Sequence, residues 1–218
     1  MSNCLFNHSP VYSIKHYPAL TSIIPRIFTD TSVLHLYETF GWFRQKEYIK
    51  LHFAETWNEL HHLLIMESLG GSERFADRFV AQHIAFFYYW LVIAVYMTSP
   101  AIAYDLNKHV EKHAFDTYDQ FLQSHEEELK LQPAPQVAID YYQDGDLALF
   151  DAFQNDAFEI GMKMKPKEEA LVEPRRPVIK NLYDVFYNIR ADEGEHAITM
   201  GKLQRDVSRR ALNGENAL

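Results

Sequence analysis

Cysteine is almost missing from this chain of 218 residues, where Cys4 stands alone. That excludes a disulfide framework and any cysteine-built zinc or iron–sulfur site. Glycine (8) and proline (9) are sparse, which excludes a fibrous or low-complexity chain. Cations are in deficit: 21 Lys+Arg against 30 Asp+Glu leave a net charge of −9, so nucleic acid is not expected as a partner. The first 30 residues lack the apolar core of a secretory signal and the Arg- and Ser-rich length of a transit peptide. No stretch alternates apolar and polar residues for long enough to predict a strand, and no repeat of 20–50 residues is visible. With 47% hydrophobic and 23% charged residues, the composition is that of one ordinary globular domain with ample core. What the chain has in excess is 11 histidines beside 15 Phe, 13 Tyr and 3 Trp, a mixture that suggests metal chemistry in an aromatic setting.

Long segments free of Pro and Gly predict helices. The first runs from about Trp42 to Leu69, before Gly70-Gly71, with Ile49, Phe53, Trp57, Leu60 and Leu64 recurring at the helical period. The second runs from Ser72, a suitable N-cap, to Thr98. The third runs from Ala101 to Leu131, ending before Pro133 and Pro135, with Glu126-Glu127-Glu128 read as a solvated helix end. Two short helices are expected at Gln136–Tyr142 and Asp146–Phe158, then an exposed charged loop at 161–177. A last long helix spans Val178 to Leu212. Arg205, Arg209 and Arg210 near its end suit the macrodipole and weak attraction to anionic lipid equally. The class is all-α, and long antiparallel helices predict a bundle.

Ile84 to Tyr104 gives 21 consecutive residues without formal charge, long enough to cross a bilayer. Ser99-Pro100 interrupts the run and four tyrosines are spread through it, so a buried bundle helix is the preferred reading. The aromatic stripe Phe86–Trp90 is likewise expected in the core.

Two of the predicted helices carry Glu-x-x-His: Glu59 with His62, and Glu193 with His196. Side chains at i and i+3 leave one helix face together, so each pair can offer a carboxylate and an imidazole to one metal. Two such helices, with a Glu from each of two others, make a dinuclear iron or manganese carboxylate site. The doublet alone is weak, because this composition gives about one such match by chance. Context strengthens it: both pairs lie in the longest helical segments, Glu111 lies on the helix between, and a carboxylate buried beside Trp57, Leu60 and Leu63 is costly unless paired or metal-bound. Oxygen and nitrogen donors without thiolate favour iron or manganese over copper or structural zinc.

The stretches SVLHLYETFGWFRQKEYIKLHFAETWNELHHLLIMESLGG, DRFVAQHIAFFYYW, VEKHAFDTYDQFL, YYQDGDLALFDAFQ and RRPVIKNLYDVFYNIRADEGEH cover most of Ser32 to Met200 in order. On them the chain resembles the alternative oxidase family, and within it the plastid terminal oxidase (plastoquinol terminal oxidase) branch. The resemblance implies a ferritin-like four-helix bundle with two non-haem irons that oxidises quinol, plastoquinol being expected, and reduces O2 to water. It implies Glu59, His62, Glu111, Glu193 and His196 as metal ligands and Tyr118 as a redox-active tyrosine. Tyr118 lies seven residues from Glu111, hence on the same face. Asn58, Asp192 and Arg190 are implied as polar neighbours that orient the ligands. Val110, His113, Ala114 and Thr117 are implied at the quinol pocket, where His113 departs from the acidic residue of the mitochondrial branch. The family sits in one leaflet of the membrane rather than across it, with homodimer formation left open. A bacterial or thylakoid-type membrane is the expected location, and the short N-terminus hints at a bacterial or phage source.

The chain departs from the family before Ser32. The family's first-helix glutamate falls at Ala19–Leu20, where no acid exists, and neither Asp30 nor Glu38 is placed to replace it. Residues 1–31 are therefore a divergent segment, 32–212 the di-iron bundle and 213–218 a tail. Two other readings stand beside the oxidase: another di-iron carboxylate enzyme, such as a quinone hydroxylase or desaturase, and a non-catalytic bundle that has lost one ligand.

Overall fold

Ser99 both ends one helix and starts the next, which explains how an uncharged run of 21 residues is broken into two. Its backbone N–H donates to Val95 O at 2.8 Å and its hydroxyl accepts from Ile102 N at 3.4 Å, with Pro100 in the first helical turn. The structure is a computed structural model, which describes residues 31–36, 38–39, 46–71, 73–145 and 177–214. Its helices are α1 (Lys46–Ser68), α2 (Phe75–Thr98), α3 (Pro100–Lys130), α4 (Gln136–Asp144) and α5 (Leu182–Leu212). Residues 31–36 and 38–39 are also helical, and no strand occurs among the described residues. Ala19–Leu20, Asp30, the helix expected at Asp146–Phe158 and the loop over 161–176 lie outside them.

Two helix starts differ from the sequence reading. α2 begins at Phe75 with Arg74 at the cap and no side-chain hydrogen bond there, later than the start expected at Ser72, which lies outside the described residues. α5 begins at Leu182 rather than Val178 because Asn181 supplies the cap. Its side chain accepts from Asp184 N at 3.0 Å, while Asp184 reaches back to accept from Lys180 N at 2.9 Å. Residues 177–180 are held non-helical by Ile179 N donating to the Gln143 side chain at 2.8 Å.

α3 and α5 pack antiparallel along their lengths, joined by Lys108 to Gln204 (3.0 Å), Arg190 to Asp119 (2.5 Å) and Lys130 over the Tyr183 ring (5.3 Å). Gly194 permits the close approach, since a Cβ there would lie 3.3 Å from the Phe115 ring. α1 also runs antiparallel to α5, with Tyr48 donating to Asp206 and Asn58 to Asp192, and parallel to α3, with His52 beside Tyr104. α4 lies across α1, stacking Tyr141 on His61 at 4.2 Å. Glu126 and Glu127 stay exposed and pair with Lys130, as a solvated helix end would.

The helical period of α1 is as expected, but its apolar stripe is not the buried one. Phe53, Leu60 and Leu64 are exposed, whereas His52, Glu55, Asn58, Glu59 and His62 are fully buried. The helix turns its polar face inward because that face meets α3 and α5. α2 also reverses expectation: Phe86, Phe87 and Trp90 are more than half exposed, with Phe75, Phe79, Ile84 and Leu91 beside them. The buried-helix reading of this run is therefore wrong, since only 28% of the most apolar 18-residue stretch within Arg78–Thr98 is buried.

Asp206 is the clamp at one end of the bundle, accepting from Tyr48, Arg209 and Arg210. Two of the three arginines predicted near the helix end are thus engaged with Asp206. Burial would raise the Asp206 carboxyl, but the Tyr48 hydroxyl and the two guanidiniums hold it below the usual range. Asp206→Ala is expected to cost about 2 kcal/mol in urea unfolding near pH 7. A carboxylate with a lowered folded pKa stabilises above its unfolded value and loses that effect as pH falls through its folded value. The wild-type advantage should therefore shrink on acidification below about pH 4.

Candidate metal centre

The antiparallel register of α1 and α5 sets the two Glu-x-x-His pairs face to face, and α3 brings Glu111 to the same level. All five side chains are buried, at 2% exposure or less. Glu59, Glu111, Glu193 and His196 each present a ligand atom, and these atoms lie within 4.8 Å of one another. His196 Nδ1 is 3.2 Å from Glu59 Oε1. His62 stands just outside this group of four, its Nδ1 at 3.6 Å from Glu59 Oε1 and 3.5 Å from Glu193 Oε1.

His62 is aimed by Asp192. Its Nε2–H donates to Asp192 Oδ2 at 3.0 Å, which leaves Nδ1 to face the carboxylates, the arrangement by which a second carboxylate orients a metal-binding imidazole. Asp192 is held in turn by Asn58 (3.1 Å) and by the Tyr142 hydroxyl (2.7 Å), while Asn58 also donates to Tyr141 at 2.6 Å. Asn58 and Asp192 thus lie beside His62, within hydrogen-bond reach of one another. Tyr141 and Tyr142 are additions from α4 that no spacing argument reveals, because α4 meets α1 only through the tertiary fold.

Three buried carboxylates in so small a space repel one another, and burying each as an anion is expensive without compensating charge. Cations resolve both costs, and an all-oxygen-and-nitrogen donor set fits iron or manganese. The residues present therefore fit a metal. Burial alone would lower the His62 imidazole, but Glu59 and Glu193 outweigh it and raise it above its ordinary value. Without a cation His62 tends to hold a second proton, which metal must displace.

Tyr118 is buried two turns along α3 from Glu111, with its ring 6.2 Å from Phe186. Arg190 binds Asp119, the neighbour of Tyr118, and lies over the Tyr187 ring at 4.6 Å, so its ion pair is with α3 and not with a ligand. Ala114 is buried, Val110 and Thr117 half-buried and His113 exposed; Thr117 Oγ1 donates to the His113 carbonyl at 2.8 Å. Glu38 is exposed, in keeping with its exclusion as a substitute ligand.

Asp192→Ala should weaken ferrous binding about 10–100-fold in a competition titration while the circular dichroism stays helical. Ferrous affinity of the wild-type chain should fall as pH is lowered from 8 to 6, because the raised His62 pKa makes the proton a stronger competitor; equal affinity across that range would remove His62 from the site.

Comparison with known proteins agrees with this geometry. Residues 20–205 match the model of the alternative oxidase family. The chain is 54% identical over 177 residues to "Ubiquinol oxidase 4, chloroplastic/chromoplastic" of Arabidopsis thaliana, covering 81% of this chain and 47% of that protein. The chain therefore spans about half the length of the curated relative it matches. No solved structure gives a significant match. The family match covers all five candidate ligands, and on it the chain belongs to the alternative oxidase family, a family of ferritin-like di-iron helical bundles.

Proposed function

We propose that this protein is a quinol oxidase that binds two irons between α1, α3 and α5 and reduces O2 to water with electrons from quinol, plastoquinol being the expected donor. The observation that supports this reading most directly is the buried group Glu59, Glu111, Glu193 and His196 in a chain of this family. Those four residues and His62 would hold the metal. Bound iron would supply the redox chemistry that matches a two-electron donor to a four-electron acceptor, two quinols and one O2 giving two quinones and two waters.

The protein's own part is positional. Asp192 fixes the tautomer and direction of His62, and Asn58 and Tyr142 fix Asp192. The complete burial of the ligands keeps bulk water from the reacting oxygen. Tyr118, on the Glu111 face of α3, would pass an electron and a proton inward. Val110, His113, Ala114 and Thr117 follow helical spacing beside Glu111 and would line the approach of the quinol ring. Residues 32–212 form the oxidase unit in this reading.

The exposed apolar face of α2 supports docking on one leaflet of a thylakoid-type membrane, where a lipid-soluble quinol is found. Phe79, Val80, Ile84, Phe87 and Leu91 line an open groove there, and Arg74 and Arg78 at the exposed start of the helix suit anionic headgroups. The curated relative is named as a chloroplast protein, and nothing supports the bacterial or phage source suggested by the short N-terminus. The hydroxylase, desaturase and non-catalytic readings are not favoured by the family match.

Glu111→Ala and His196→Ala should abolish quinol-dependent O2 uptake by the iron-loaded chain. Uptake retained by either variant, or a hydroxylated product in place of quinone, would refute the assignment. Replacing Phe86, Phe87 and Trp90 together by Ser should reduce flotation with anionic liposomes by roughly tenfold or more, with iron content unchanged.

A further inference from the structure

His52, Glu55 and Tyr104 form a buried titratable cluster outside the ligand set, each with essentially no exposure. Both ring nitrogens of His52 are engaged. Nε2 lies 3.1 Å from the Tyr104 hydroxyl, and Nδ1 lies 3.6 Å from Glu55 Oε2, an ion-pair separation a few tenths of an ångström beyond a hydrogen bond. On α1 the residues Tyr48, His52, Glu55, Glu59 and His62 follow one another at three- and four-residue intervals, hence on one face, and all are buried. Glu55 stands one helical turn, about 6 Å of rise, before the ligand Glu59. α3 keeps the same register, setting Tyr104 beside His52 and Glu111 beside Glu59. The stripe continues outward to Tyr48, whose hydroxyl donates to Asp206 and through it meets the exposed Arg209.

Apolar side chains would fill the space around His52 and Glu55 without the desolvation cost of three polar groups. The cluster is better explained by what the centre needs. Reduction of one O2 consumes four protons in a pocket closed to bulk water, and hydrogen-bonded side chains are the means by which a proton crosses such a distance.

We propose that Tyr104, His52 and Glu55 form a proton relay that ends at the metal centre; this inference rests on the oxidase reading above. In one passage the Glu55 carboxyl O–H breaks as its proton goes to the oxygen being reduced, and His52 Nδ1 gives its proton to the Glu55 carboxylate. His52 Nε2 takes the Tyr104 hydroxyl proton, and Tyr104 is reprotonated from the Tyr48 side. One proton enters, one leaves, and no residue of the relay is oxidised or reduced. The His52 ring turns over between passages, since its two nitrogens exchange roles.

The test compares the full-length iron-loaded chain with Glu55→Gln and Tyr104→Phe in iron stoichiometry, quinol-dependent O2 uptake in H2O and D2O, and the imidazole 15N shifts of His52 in the metal-free protein. The relay predicts wild-type iron content in both variants and uptake slowed about tenfold or more in Glu55→Gln. It also predicts a solvent isotope effect larger than wild type and a His52 15N spectrum shifted by the loss of the carboxylate. Tyr104→Phe keeps the ring and its packing, and serves if Glu55→Gln fails to fold. Wild-type uptake and isotope effect in a variant that holds its iron would overturn the relay. Loss of iron in Glu55→Gln would overturn it too, by making Glu55 part of the metal site. If the wild-type chain itself takes up no O2 with quinol, the oxidase reading fails. The relay geometry is then judged by the 15N spectrum, and His52 shifts indifferent to Glu55→Gln would refute it.

Discussion

Mutual repulsion of Glu59, Glu111 and Glu193 is the constraint on which the rest of the structure depends. Each comes from a different helix, and their ligand atoms meet within 4.8 Å of one another and of His196 in a region closed to water. Charges so close and so poorly screened cannot be held by helix packing alone. The arrangement makes sense when metal cations are counted as part of the core, so that the most polar spot in the bundle becomes a point at which three helices are tied together.

That constraint dictates what the surrounding helices do. α1 gives its inner face to His52, Glu55, Asn58, Glu59 and His62 and leaves Phe53, Leu60 and Leu64 exposed. Apolar packing is supplied instead by residues such as Leu51, Ala54, Ile65 and Met66 at the edges of the polar stripe, and by Val185, Phe186, Ile189 and Leu203 of α5. Specific hydrogen bonds then hold the register that packing alone would leave loose. Tyr48 with Asp206 fixes one end, and Asn58 with Asp192 and Tyr141 fixes the level of the site. A slip of one residue along α1 would turn Glu59 off its face and unmake the centre.

The same geometry links site to surroundings. Tyr142 reaches Asp192 from a short helix remote in sequence, so α4 acts on His62 through one carboxylate. α2 contributes no ligand among the described residues; it presents aromatic and aliphatic side chains outward and packs against α3 through Tyr88 and Tyr96, both bound to Asn107. In the proposed quinol oxidase such a face would serve docking on a membrane that carries a lipid-soluble donor, and the closed centre would keep reactive oxygen away from solvent.

The sequence by itself determined the helical class, the two Glu-x-x-His pairs and the break at Ser99-Pro100. These follow from spacing and backbone chemistry, which are local. Spacing also placed Tyr118 on the Glu111 face, while Glu111 stood out only by its place on the helix between the two pairs and took its ligand role from the family resemblance. Which face of α1 is buried, the exposure of Phe86, Phe87 and Trp90, and the meeting of Tyr142 with Asp192 and of His52 with Tyr104 were decided only by the tertiary structure. A helical period states which residues share a face, but burial depends on the helices that face meets. Hydropathy therefore misjudged both helices: an apolar stripe is driven from water, yet α1 buries its polar stripe because that face meets α3 and α5 at the carboxylate centre, and α2 keeps its apolar one outside.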